Sequence, residues 1–396
     1  MSERPEPARF DAADPLGLDE LLTPEDLAVR DTVRAWAADR VLPHIADWYE
    51  RGELPGLREL ARELGAMGAL GMSLRGYGCA GATAIQYGLA CLELEAADSG
   101  IRSLVSVQGS LAMYAIHRFG SEEQKERWLP GMAAGEIIGC FGLTEPDHGS
   151  DPAGMRAYAR RDGSDWVLTG RKMWITNGSA ADVAVVWART DDGVRGFLTP
   201  AGRPGFSAPE IRHKWSLRAS VTSELVLDEV RLPADAVLPG ATGLGGPLSC
   251  LNHARYGIVW GAMGAARASF ESALAYARTR EQFGRPIGGF QLTQAKLADM
   301  AVELHKGILL AHHLGVRMDA GRLRPEQVSF GKLNNVREAI EICRTARTVL
   351  GANGISLEYP VMRHATNLES VLTYEGTVEM HQLVLGKALT GLDAFR

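Results

Sequence analysis

Between about Gly135 and Gly243 the sequence carries short β-type runs and no helix-period segment, and this constrains the fold more than any other feature. The runs are Trp166 to Thr169, Val183 to Trp187 and Glu224 to Leu227, set apart by turn residues such as Asp162, Gly163 and Ser164, and Asp191, Asp192 and Gly193. Parallel strands need a long crossover, usually a helix, and none is available here. An antiparallel sheet or small barrel is therefore expected. Helical periodicity flanks it on both sides. It runs from a start at Thr23, Pro24, Glu25 and Asp26 to about Leu129, and again over 250–280, 290–318, 325–350 and 377–390. A chain of 396 residues also exceeds what one hydrophobic core usually serves. The expected class is α+β, mostly α, with an N-terminal helical domain (1–134), a middle antiparallel β domain (135–243) and a C-terminal helical bundle (244–396).

Several classes of function are disfavoured. The formal net charge is −6 and no basic run appears, so nucleic acid is not an expected partner. The Pro- and Asp-rich N-terminus lacks an apolar signal region, and its acids argue against a transit peptide. No apolar run is long enough for a membrane span. The five cysteines, Cys79, Cys91, Cys140, Cys250 and Cys343, are scattered and form no C-x-x-C, which fits a reduced, cytoplasmic setting. No metal site is expected, because His312 and His313 are adjacent and point to different helix faces. Gly76, Gly78 and Gly81 match G-x-G-x-x-G, but a dinucleotide fold needs a strand before the motif and a βαβ unit around it. A glycine-rich turn between helices accounts for it better.

The chemistry-bearing segments are fewer. Phe141 to Asp151 packs Gly, Thr and Ser into a turn that can offer N–H groups and hydroxyls to a polar ring edge or a phosphate. Arg171 to Asn177 places Trp174 beside Thr176 and could wall a flat cofactor; its bland counterpart is a buried Trp. Arg278 to Gly284, Gly351 to Gly354, and Thr373 to Thr377 follow. A lone Glu375 beside Gly376 would ordinarily be a solvated loop acid.

Taken together these segments (FGLTEP with GSD, WITN, R-x-QFG, G-x-NG and YEGT, in this order) resemble the acyl-CoA dehydrogenase family over nearly the whole chain, from about Phe10 to Phe395. Within it the resemblance is to glutaryl-CoA dehydrogenases. It is carried by Gly76 to Gly81, by Glu93, Glu95, Asp98, Arg102 and Ser103, by Leu251 to Gly257, and by Arg363 and His364. Three positions depart from the family pattern: His148, Gly109 and Ala352.

The resemblance implies a C-terminal four-helix bundle, FAD as cofactor, and Glu375 as the base that takes the α-proton of an acyl-CoA. It implies flavin contacts at Phe141, Leu143, Thr144, Gly149 and Ser150, with Trp174, Ile175 and Thr176 walling the flavin and Thr377 nearby. Arg280, Phe283, Gln291, Leu350, Gly351 and Gly354 would hold the cofactor of a neighbouring subunit in a homo-oligomer, usually a tetramer. Substrate contacts fall to Ser150, Leu251, Asn252, Arg255, Tyr374 and Gly376, and Arg102, Ser103 and Glu95 would face a far carboxylate. The implied reaction is oxidation and decarboxylation of glutaryl-CoA to crotonyl-CoA, with electrons passed to electron-transfer flavoprotein. The alternatives are another acyl-CoA or carrier-bound acyl substrate, an oxidase, or a flavin-free interaction scaffold.

Overall fold

The computed structural model describes residues 11, 12 and 14–394. Its first long helix, α1 (Pro24–Arg40), starts at the expected cap: Asp26 N donates to Thr23 Oγ1 at 3.2 Å and Thr23 N to the Asp26 carboxylate at 3.0 Å. Helices α2 (Ile45–Arg51) and α3 (Leu57–Ala66) follow. The glycine-rich segment is then a hairpin, β1 (Arg75–Gly76) and β2 (Cys79–Ala80), turned by positive φ at Gly76, Tyr77 and Gly78. It lies between helices and is no phosphate loop. Helices α4 (Ala84–Ala97) and α5 (Ser99–Ser106) meet sharply at Asp98, which ends one and caps the other. A π-helical turn (Val107–Met113) joins α5 to α6 (Tyr114–Phe119), and α7 (Glu122–Ala133) closes the domain. That turn runs so close to the Gly71 backbone that a Cβ on Gly109 would sit 2.6 Å from Gly71 N. The departure at Gly109 thus has a packing reason.

The middle domain is one seven-stranded sheet of β3 (Gly139–Gly142), β4 (Tyr158–Asp162), β5 (Asp165–Thr176), β6 (Val183–Thr190), β7 (Gly193–Pro200), β8 (Phe206–Ser207) and β9 (Thr222–Leu232). The order is β3-β6-β4-β5-β9-β8, with β7 beside β6. Most pairs are antiparallel, but β3 runs parallel to β6, as does β4 at one residue pair. The parallel contact needs no crossover helix, because the loop after β3 and the β4–β5 hairpin supply the excursion.

The C-terminal domain begins with α8 (Gly245–Thr279), which packs along both α4 and α10 (Pro325–Leu350). A small hairpin, β10 (Glu281–Gln282) and β11 (Arg285–Pro286), leads to α9 (Gln291–Asp319), and α11 (Val361–Thr373) and α12 (Val378–Thr390) complete the bundle. Glu93, 2% exposed, takes paired guanidinium bonds from Arg34 and Arg267 and so ties α1, α4 and α8 together. Among the described residues, no helix is long and apolar enough to cross a membrane.

Candidate active site

Glu375 sits in the short connection between α11 and α12, where one helix must stop and the next must start. Tyr374 leaves the helical region, and Thr377 caps α12 by accepting from Met380 N at 3.3 Å. Between them Glu375 has φ +53 and Gly376 φ +102. A left-handed backbone at a non-glycine residue costs about 1–2 kcal/mol, so the surroundings must impose it. Gly376 also tolerates no side chain, since a Cβ there would lie 2.9 Å from His381 Nε2.

The surroundings are cationic. Arg255 Nε donates to the Glu375 carbonyl at 2.6 Å, and Lys332 Nζ donates to the carbonyls of Tyr374 at 2.5 Å and Gly376 at 2.6 Å. None of these bonds goes to the Glu375 carboxylate, whose Oε2 is shielded and has no hydrogen-bond partner. Burial pushes the carboxyl above its ordinary value, and Arg102, Arg255 and Lys332 offset this without cancelling it. Burial likewise pushes Lys332 down to about 7, against the pull of Glu375.

Glu375 lines a cavity of about 1080 Å³, as do Arg102, Ser103, Ser150, Leu251, Asn252, Arg255, Tyr374 and Gly376. Arg102, 1% exposed, donates Nε to Glu95 at 2.6 Å and Nη2 to the Tyr374 hydroxyl; its Nη1 makes no hydrogen bond among the described residues. Burial opposes the Arg102 charge, but Glu95 and its other neighbours more than restore it and leave the guanidinium firmly protonated. Glu95 itself is 0% exposed and held by Ser99 Oγ at 2.8 Å. It lies behind Arg102, not on the cavity wall.

A second wall comes from the sheet. Phe141, Leu143, Thr144, Gly149, Trp174, Ile175, Thr176 and Thr377 all line the same cavity. A buried ion pair sets this wall: Lys172 Nζ meets Glu145 Oε1 at 2.8 Å and the Leu143 carbonyl at 3.0 Å, while Glu145 also accepts from Arg156 N and Ala157 N. Met173 N then donates to the Thr144 carbonyl at 2.8 Å, stitching the turn to β5. The pairing register shifts between Lys172 and Ile175, where Trp174 takes φ +62 and stays 59% exposed. An indole held in this way beside a turn whose Gly149 has open space around it suits a flat, polar-edged ring. His148 does not reach the cavity; its ring packs against Gly154.

Arg280, Phe283, Gln291, Leu350, Gly351 and Gly354 do not line the cavity. They gather around the C-terminal end of α8, where Asn353 Nδ2 donates to the Tyr276 hydroxyl at 3.0 Å and Phe283 is 94% exposed. Sequence reasoning missed Lys332, His381, Lys214 and Trp215. Lys214 Nζ bonds Leu217 O, Ser220 O and Thr222 Oγ1 on the cavity wall, and burial pushes it down to about 8. The available signal for Lys332 was a single cation in the otherwise apolar and small run from Val328 to Leu333 of α10.

Models of the acyl-CoA dehydrogenase N-terminal, middle and C-terminal domains match residues 23–136, 140–230 and 241–390. The chain belongs to the acyl-CoA dehydrogenase family. This acyl-CoA dehydrogenase is 33% identical over 365 residues to the short-chain specific mitochondrial enzyme of Bos taurus, covering 90% of this chain and 88% of that protein. It is similar to a solved structure of glutaryl-CoA dehydrogenase from Mycobacterium smegmatis, with a TM-score of 0.96 and 72% identity over 97% of this chain and 99% of that one. A second glutaryl-CoA dehydrogenase structure from the same organism, in complex with FADH2, gives 0.95 and 64% over 96% and 98%.

Proposed function

We propose that this acyl-CoA dehydrogenase binds FAD and converts glutaryl-CoA to crotonyl-CoA and carbon dioxide, with Glu375 as the base. The observation that carries the reading is one cavity that holds both a carboxylate whose Oε2 has no partner and a buried guanidinium whose Nη1 makes no hydrogen bond among the described residues. The similarity to glutaryl-CoA dehydrogenases supports the same substrate.

Glu375 Oε2 takes the proton from the α-carbon of the thioester, and its raised affinity for protons makes it a competent acceptor. The Glu375 N–H would stabilise the charge that develops on the thioester oxygen. Leu251, Asn252 and Arg255 on α8, with Ser150, Tyr374 and Gly376, enclose the acyl chain. Thr144, Gly149 and Ser150 would hold the polar edge of the cofactor ring, and Trp174, Ile175 and Thr176 would cover it. FAD, when bound, supplies the acceptor for the hydride leaving the β-carbon and passes the electrons to electron-transfer flavoprotein. The far carboxylate then leaves as carbon dioxide from a conjugated thioester, and protonated Glu375 returns its proton to the γ-carbon. Arg280, Phe283, Gln291 and Leu350 to Gly354 would serve the cofactor of a neighbouring subunit in a homotetramer. Domain limits at 134/135 and 243/244 and a cytoplasmic location, which the free thiols fit, complete the reading.

Glu95 already neutralises Arg102 at 2.6 Å, and this favours a second reading, a neutral short acyl chain. Arg102→Met separates the two. Removing the charged partner of a desolvated carboxylate costs about 3–5 kcal/mol, or hundreds- to thousands-fold. The ratio of kcat/KM for glutaryl-CoA to that for butyryl-CoA should fall by that factor in the variant. An unchanged ratio would show that Arg102 does not read a carboxylate.

A further inference from the structure

Lys332 is 2% exposed in the first third of α10, yet among the described residues it forms no ion pair. A buried ammonium ordinarily finds a carboxylate. This one spends two hydrogen bonds on the carbonyls immediately before and after Glu375, at 2.5 and 2.6 Å. Arg255 holds the carbonyl of Glu375 itself. Three successive carbonyls, those of Tyr374, Glu375 and Gly376, thus accept from side chains of α8 and α10. The peptide planes on both sides of the left-handed residue are fixed, and Oε2 of the carboxylate stays without a hydrogen-bond partner among the described residues on the cavity wall.

We propose that Lys332 is a positioning residue for the base: by bracketing Glu375 through its neighbours' carbonyls, it holds the left-handed turn that aims the carboxylate into the cavity. This rests on the reading of Glu375 as the base. A compact ammonium suits the task, because its donors diverge from one atom and reach two carbonyls at once. The positive charge has a second consequence. Facing Glu375 are Arg102 from α5, Arg255 from α8, Lys332 from α10 and Tyr374 at the end of α11, with His381 of α12 beside Gly376 and Glu95 of α4 behind Arg102. Lys332 favours the ionised carboxylate, so removing it shifts the base toward its protonated form.

The test uses the FAD-loaded enzyme, with stopped-flow flavin reduction by glutaryl-CoA measured from acid to alkaline pH. Substrate Kd, FAD content and thermal unfolding are recorded alongside. Lys332→Met should slow reduction about a hundredfold, with FAD content near one per chain and Kd changed by less than threefold. The ascending limb of its pH profile should move to higher pH. Lys332→Gln keeps N–H donors without the charge. It should recover at least tenfold of the rate while its ascending limb stays displaced, and it carries the test alone if the Met variant loses FAD. Reduction within threefold of wild type in both variants would overturn the proposal. So would a slow Gln variant whose pH profile matches wild type, which marks a merely structural lysine. Glu375→Gln run in parallel separates the two claims: if it reduces flavin normally, the base reading fails and takes this one with it. If Glu375→Gln is inert and the Lys332 variants are normal, only this proposal fails.

Discussion

Glu375 is an acid kept in a place that resists its charge, and the protein leaves its Oε2 without a partner. Glu375→Gln keeps the shape and removes the basicity, so flavin reduction should fall by several orders of magnitude while FAD stays bound. Near-normal reduction, followed anaerobically, would put the base elsewhere. The same burial makes a stability prediction. Because the folded carboxyl binds its proton more tightly than the unfolded one, it favours the fold at low pH, and that contribution is lost as pH rises through its raised value. The variant is neutral throughout, so it should gain thermal stability over wild type as pH rises above about 4. A constant difference across pH would contradict this. Glu375 was legible because Tyr374, Gly376 and Thr377 surround it in a recognisable order. Lys332 was not, because a lysine on a helix reads as solvated until the α11–α12 connection is packed over it.

The elements that shape the second wall are β5 and the turn before it. Lys172 is 0% exposed and its ion pair with Glu145 is buried with it, while burial holds the ammonium below its ordinary value. Removing one partner of such a pair costs about 3–5 kcal/mol. Lys172→Met should therefore lower the melting temperature by several degrees and weaken FAD retention, because the 141–151 turn loses its anchor. Unchanged melting and unchanged FAD content would show that the turn is held by other contacts. The β-rich character of this region was readable from Trp166 to Thr169, Val183 to Trp187 and Glu224 to Leu227, all of which fall in strands. The parallel pairing of β3 with β6 was not, because it depends on how a long excursion closes in space. Nor was the register shift at Trp174, which local propensity opposes, since a bulky residue avoids positive φ. In the C-terminal region, α11 was not resolved as a helix of its own, although its flanking segments were.

At the scale of the whole molecule, three domains supply one cavity: α5 brings Arg102, the middle domain brings Thr144 from the turn after β3 and Trp174 from β5, and the C-terminal domain brings Arg255 and Glu375. The order of the domains was legible because hydrophobic periodicity changes twice along the chain. The convergence of their residues was legible only through the set of motifs, since nothing local links Arg102 to Tyr374. The group around Arg280 and Phe283 stands apart from this cavity at the C-terminal end of α8, where Phe283 is 94% exposed. The account's central claim is that this cavity oxidises a thioester carrying a far carboxylate and then releases that carboxylate. The most direct measurement is anaerobic mixing of the purified FAD-loaded enzyme with glutaryl-CoA, following flavin bleaching, released carbon dioxide and the thioester product together. The account predicts bleaching, one carbon dioxide per flavin reduced, and crotonyl-CoA. No bleaching with glutaryl-CoA but rapid bleaching with butyryl-CoA, or glutaconyl-CoA accumulating without carbon dioxide, would contradict it.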